Sequence, residues 1–193
     1  VSLTTEICWV LRKPVVRQLG FRVPRTNWVL HAHQFEDVAR AIDRGRIIVM
    51  ENLRLARAGL ARYTHNRNGQ NLLEVPWPHP SRLGAQANLI HEMAHAVQDW
   101  NRRVIDELDD EATAYIAQFL YFRRVTGADW IAPQAWHTDP ALQQLGAVGY
   151  FIAVAISNRR MDLVTAGVVT QMRQALVATG QYAGGRTKVY DGI

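Results

Sequence analysis

Cysteine occurs once in the 193 residues, at Cys8. A single thiol excludes an intramolecular disulfide framework and any cysteine-rich zinc site, and Cys8 is expected as a small buried hydrophobe. Lysine is almost missing too. Only Lys13 and Lys188 stand among the 22 basic residues, which leaves 22 − 2 = 20 arginines, and against 17 acids the formal charge is +5. No basic run exceeds a pair (Arg102-Arg103, Arg123-Arg124, Arg159-Arg160), whereas a nucleic-acid binder shows a stripe or cluster. Nucleic acid is therefore not the expected partner. The basicity reads mainly as compositional bias, and the partner it would favour is an acidic peptide or protein.

Long apolar runs are lacking as well. The longest uncharged stretch, Ala141 to Asn158, contains Gln143, Gln144, Gly146 and Gly149. It is too short and too polar for a membrane span and reads as a buried helix. No basic-then-apolar signal pattern opens the chain. The first residue is Val1 rather than methionine, which reads as a chain trimmed or excised from something longer. The compartment stays open between cytoplasmic and secreted or effector. There is no internal repeat, low-complexity segment or helix-turn-helix pattern. What remains is ordinary: 48% hydrophobic and 20% charged residues in 21.9 kDa, enough for a single domain spanning 1–193 with a real core.

Periodicity divides the chain. A short helix from Thr5 to Arg12 leads into a turn-rich stretch punctuated by Pro14, Gly20 and Pro24. Gln34 to Arg44 is helical, with Phe35, Val38, Ala39 and Ile42 on one face and Gly45 as a stop. Arg46 to Met50 is a strand. Ala58 to His65 and Gln70 to Pro76 form a hairpin around Asn66-Arg67-Asn68-Gly69, residues that tolerate a tight turn. From Ser81, a plausible N-cap, a helix runs to about Trp100. A second helix covers Glu107 to Val125 and stops at Gly127. Helices over Pro140 to Ile156 and Met161 to Thr179 follow, and Gly180, Gly184 and Gly185 mark a loose tail. The expected class is α+β: a small antiparallel or mixed sheet packed on one helix within 46–100, a second helix over 107–125, and a mostly helical C-terminal half with helices at 140–179.

The chemistry lies in His91-Glu92-Met93-Ala94-His95, an HExxH motif. On a helix, residues i and i+4 share a face, so His91 and His95 can ligate one zinc ion. Glu92 lies about 100° round the helix, within reach of the activated water as general base. With seven histidines and seven glutamates in this length, chance would supply such a motif in about 1% of sequences. Leu89, Ile90, Met93, Ala94, Ala96 and Val97 make the helix apolar on most sides, so the polar triplet needs a reason to be there. A catalytic zinc takes a third protein ligand and keeps an open position. The extended HExxHxxGxxH form is excluded, because Gln98 and Asn101 fill its Gly and His positions. The third ligand then belongs to the acidic segment 106–111. The first helix continues about 7.5 Å past His95, residues 101–105 can turn the chain, and the return rises about 6 Å to Glu111, level with His95. Glu111 is thus favoured, with Glu107 and Asp110 as alternatives. The other acids also suit a helix N-terminus electrostatically.

His91-Glu92-Met93-Ala94-His95-Ala96-Val97-Gln98-Asp99, followed by Asp110-Glu111-Ala112-Thr113-Ala114-Tyr115, resembles the gluzincin-like zincin metallopeptidases. The resemblance covers about Arg46 to Val125. It implies a zincin-like fold, one catalytic zinc and peptide-bond hydrolysis, with extended peptide bound along an edge strand above the active-site helix; Asn71 to Val75 is the expected strand. Two features depart from the pattern. The His95-to-Glu111 gap is short, and Tyr115 stands where better-known members carry an Asp supporting a zinc-bound histidine. Asp99 or Asp110 could fill that role.

An oxyanion-stabilising side chain is sought among Tyr115, His137, His65, His79 and Tyr63, with Tyr115 first because it lies one turn beyond Glu111. His31 and His33 form a weak second-metal signal. Trp77, Trp100, Trp130 and Trp136 read as packing. The leading expectation is a zinc-dependent peptidase, as a toxin or effector domain or a regulatory cytoplasmic enzyme. The alternative is a catalytically inert zincin-like binding module. An intact Glu92 argues against that, since a metal-holding scaffold needs no general base.

Overall fold

A computed structural model describes residues 1–23, 26, 28–57, 60–67, 70–77, 79–128, 138–182 and 186–193. Among these it is α+β, with six α-helices and three small sheets. The helix α1 (Leu3–Leu11) packs beside α2 (Gln34–Asp43), whose buried face is Phe35, Val38, Ala39 and Ile42. Between them a two-residue pair, β1 (Phe21–Arg22) and β2 (Val29–Leu30), runs antiparallel.

The central sheet has three strands, β3 (Ile47–Glu51), β4 (Arg62–Arg67) and β5 (Gln70–Val75), in the order β3-β5-β4. β3 is parallel to β5, with Ile47 opposite Asn71 and Glu51 opposite Val75; β4 is antiparallel to it, with Tyr63 opposite Leu73. This corrects the expectation that Asn71 to Val75 is an edge. Leu73, Glu74 and Val75 are buried in succession, on both faces, as a central strand requires. Among the described residues the outer strands are β3 and β4. Asn66 accepts a φ of 46° at the hairpin end, and residues 68 and 69 lie outside the described residues.

The helix α3 (Leu83–Trp100) crosses the interior; Leu89, Ile90, Met93, Ala94, Ala96 and Val97 are all fully buried. Ser81 is not its cap. Arg82 takes that position without a side-chain hydrogen bond, and the carbonyls of Pro80 and Ser81 instead accept from the Gln86 side chain. The chain then turns through Arg102, at φ 50°, into β6 (Val104–Asp106) and α4 (Glu107–Thr126). Asp106 caps α4 by accepting from the Leu108 N–H at 3.0 Å, and Gly127 at φ 69° ends it. Small residues of α4, Ala112, Ala114 and Ala117, let it lie close along α3.

Asp139 caps α5 (Pro140–Ser157). By length and composition α5 could cross a membrane. Its buried side, including Leu145, Tyr150, Ile152 and Ala153, belongs to the same apolar core as α4 and α6 (Ala166–Ala178). The expected helix over Met161 to Thr179 is two pieces: a 3₁₀ turn at Met161–Leu163, then α6. Thr165 divides them, because its side chain accepts from the Val168 N–H and starts a new helix.

The tail is the largest correction. After Gly180, residues Thr187–Val189 form β7, antiparallel to β6, with Ile105 opposite Lys188. The β6–β7 ladder extends at both ends, through Glu107 N–H to Arg186 O at 2.8 Å and Tyr190 N–H to Arg103 O at 2.9 Å.

Gly149 sets the spacing of α4 and α5. A Cβ there would come within 2.5 Å of Phe119 Cδ2 and 2.6 Å of its Cε2. Gly149→Ala gains helix propensity of about 1 kcal/mol but overpacks by about 1–3 kcal/mol, so a net loss of up to about 2 kcal/mol is expected. Denaturant melts measure it, and a stabilised variant would contradict the close approach.

Candidate metal centre

His91 and His95 sit one turn apart on α3, and α4 returns antiparallel to present Glu111 to both. His91 Nε2 lies 3.5 Å and His95 Nε2 3.7 Å from Glu111 Oε2. Ligand atoms held tetrahedrally about 2.0–2.1 Å from a metal are roughly 3.3–3.5 Å apart, so a small shift suffices to seat an ion. All three ligand atoms lie within 4.8 Å of one another, and among the described residues this is the one such group able to hold a metal ion. Of the alternatives weighed for the third ligand, Glu107 and Asp110 are not in the cluster.

Asp110 instead orients a ligand. Its Oδ1 accepts from His95 Nδ1 at 3.0 Å and from the Gln98 side chain at 2.5 Å. This puts the His95 proton on Nδ1 and turns Nε2 toward Glu111. Asp99, the other candidate for this task, accepts from the Tyr63 hydroxyl at 2.5 Å and the Gly192 N–H at 2.9 Å. His91 Nδ1 is buried without a partner among the described residues.

Glu92 lies on the wall of the same cavity, of about 340 Å³, which is also lined by Arg62, Tyr63, Thr64, His65, Tyr182, Lys188 and Tyr190. Its Oε2 accepts the Tyr63 backbone N–H at 2.7 Å, from the outer edge of β4. Burial raises its carboxyl above the ordinary range, against the lowering pull of the two imidazoles.

Several candidates take other places. Tyr115 stacks edge-on against the His91 ring at 4.5 Å and is hydrogen-bonded to Tyr182; it does not line the cavity. Burial pushes its phenol to about 12. His65 does line it, edge-on to Tyr190 at 4.9 Å. His79 pairs with Glu6 at 2.8 Å, apart from the cavity. His31 and His33 stack at 5.4 Å and belong to no three-ligand group among the described residues. Cys8 is buried; burial, then Asp43, pushes its thiol to about 12. Trp77 and Trp100 pack against the core. His137, Trp130 and Trp136 lie outside the described residues.

Tyr182, Lys188 and Tyr190 are the functional-site residues that sequence reasoning missed. Tyr182 is hydrogen-bonded to Glu111 and Tyr115. Lys188 Nζ donates to Asp110 Oδ2 at 2.5 Å and Glu111 Oε1 at 2.9 Å. The Tyr190 hydroxyl donates to Asp110 Oδ2 at 3.0 Å. The available signal was the strand-like alternation Thr187-Lys188-Val189-Tyr190 after the glycines.

Charge identifies what the cavity can take. With neutral imidazoles, Glu92, Asp110 and Glu111 give −3 and Lys188 gives +1, so the cluster carries −3 + 1 = −2, the complement of a divalent cation. Without one, His95 takes up part of the imbalance. Burial alone would lower His95, but Asp110 and Glu111 raise it well above 6.5. Burial would raise Glu111, yet the two imidazoles drive it far below its ordinary value. Compared with known proteins, the chain matches no family model, no curated protein and no solved structure.

A cation entering this site displaces the His95 proton. Affinity is expected to rise with pH by up to about tenfold per unit below the raised His95 value. Calorimetry in buffers of differing ionisation enthalpy should show proton release on binding of about one ion per chain. Binding that is independent of pH would refute the His95 ligand assignment.

Proposed function

We propose that the chain is a zinc-dependent hydrolase that cleaves peptide bonds, with a zincin-like arrangement of sheet, HExxH helix and glutamate helix. The observation that carries this reading is Glu92: a carboxylate on the cavity wall beside the two-histidine, one-glutamate cluster, held among the described residues by a backbone N–H through one of its oxygens. A site built merely to store a cation has no use for that group.

His91, His95 and Glu111 would hold the ion, and two imidazoles with one carboxylate suit zinc. When bound, zinc supplies Lewis acidity, activating water and polarising the scissile carbonyl. The protein does the rest. Tyr63 N–H fixes Glu92 Oε2, which leaves Oε1 to take the attacking water's proton and pass it to the leaving amine. Asp110 keeps His95 in the ligating tautomer.

Peptide substrates are favoured because β4, an outer strand of the described sheet, lines the cavity with Tyr63, Thr64 and His65, and an extended chain can add to the edge groups that Glu92 does not occupy. Arg62 and Lys188, the cations lining it, are already paired with Glu74 and with Asp110 and Glu111. The cavity therefore gives no added support to an acidic substrate. For oxyanion contact, Tyr182 stands on the cavity wall with Tyr115 behind it; the single Tyr182 hydroxyl proton goes to Glu111, so Tyr182 would have to turn from that carboxylate to meet a substrate oxygen.

Glu92→Gln tests the reading. It should keep zinc affinity and fold while lowering cleavage of a proteome-derived peptide library by about 10²–10⁴-fold. His95→Ala should lose the metal as well. Cleavage undiminished in Glu92→Gln would sink this mechanism, and a zinc-loaded wild type that cleaves nothing would leave a binding module.

A further inference from the structure

We propose that Lys188 is a positioning residue of the metal centre, one ammonium that sorts the four oxygens of two adjacent carboxylates. The inference rests on the metal-centre reading above. Asp110 and Glu111 are consecutive on α4 and diverge by about 100° round the helix. Lys188 stands between them and takes Oδ2 of one and Oε1 of the other. The opposite oxygens are thereby turned inward: Asp110 Oδ1 to His95 Nδ1, and Glu111 Oε2 to the two Nε2 atoms. One side chain thus orients a ligand directly and a second ligand through its carboxylate partner.

The placement is built by the strand. Lys188 lies opposite Ile105 in the β6–β7 pair, half-buried, while its neighbour Val189 is 60% exposed, so alternation along β7 sends the ammonium inward. Tyr190, two residues on, points the same way and supplies the second donor to Asp110 Oδ2.

Two effects of Lys188 on a bound cation oppose each other. Its charge repels the ion, while its hydrogen bonds hold the ligands in place. The carboxylates are buried, with Asp110 fully so and Glu111 6% exposed, and a freed carboxylate would swing or take up a proton. Orientation therefore dominates, and supporting contacts of this kind are worth about 10–100-fold in metal affinity.

The test is a Zn²⁺ dissociation constant, by competition with a chelating chromophore, for wild type, Lys188→Met, Lys188→Arg and Asp191→Ala. Asp191 anchors the same segment through the Asn66 side chain without touching the centre. Expected are about 10–100-fold weaker binding in Lys188→Met, recovery of most of it in Lys188→Arg, and no change in Asp191→Ala. Equal or tighter binding in Lys188→Met overturns the proposal, as does an equal loss in Asp191→Ala, which would make segment docking the cause. Should Lys188→Met not melt cooperatively, Lys188→Gln replaces it: Arg binding tighter than Gln supports positioning, and the reverse order, which repulsion alone predicts, overturns it. A wild type that binds no Zn²⁺ at all refutes the metal centre itself, a failure distinct from a change confined to the Lys188 variants.

Discussion

Carboxylates buried in the seam between α3 and α4 are the constraint on which the rest of the molecule turns. Asp110 has no exposure to water and Glu111 and His95 have almost none. Ionised groups in such a place are tolerated only when every lone pair and charge has a counterpart. Asp110 meets that condition with four partners: His95 and Gln98 on α3, Lys188 on β7 and Tyr190 just beyond it. Removing one would leave a buried charge less fully compensated, at a cost to stability. The apolar surroundings in α3 sharpen this, because they keep water from making good any missing bond.

The order of the chain follows from that requirement. The two helices meet antiparallel because Arg102 takes a left-handed turn and β6 is only three residues long, which brings Glu111 back beside His95. The last eight residues then close the seam from outside. They make the β6–β7 ladder, but they also reach the sheet and α3, through Asn66 and Asn71 side chains and Asp99. The C-terminal segment is therefore part of the site's architecture, although nothing in its composition resembles a core.

What was legible in the sequence followed local rules. The extent of α4 could be read to within a residue, because Asp106 and Gly127 are strong end signals. His91, His95 and Glu111 could be placed together because helical rise and turn length are almost fixed quantities. Long-range pairings were another matter. That β3 lies parallel to β5 depends on which faces become covered, and a five-residue strand does not announce its partner. Lys188 escaped notice because two-residue alternation in a glycine-flanked tail is a weak cue, and its significance lies wholly in residues nearly eighty positions earlier. Tyr115 was read correctly as sharing a face with Glu111, yet Tyr182, far along the chain, stands between it and the cavity lining.

The solitary thiol has a practical consequence. Cys8 is buried between α1 and α2, bonded to the Ala39 carbonyl, and its thiol is pushed to about 12. An alkylating reagent needs both access and the thiolate, and the native protein offers neither. Modification therefore waits for α1 to lift away. The rate of labelling becomes a clock for opening of the α1–α2 pair. Comparing that clock with and without bound ion would tell whether this pair and the helix seam unfold as one cooperative unit or separately.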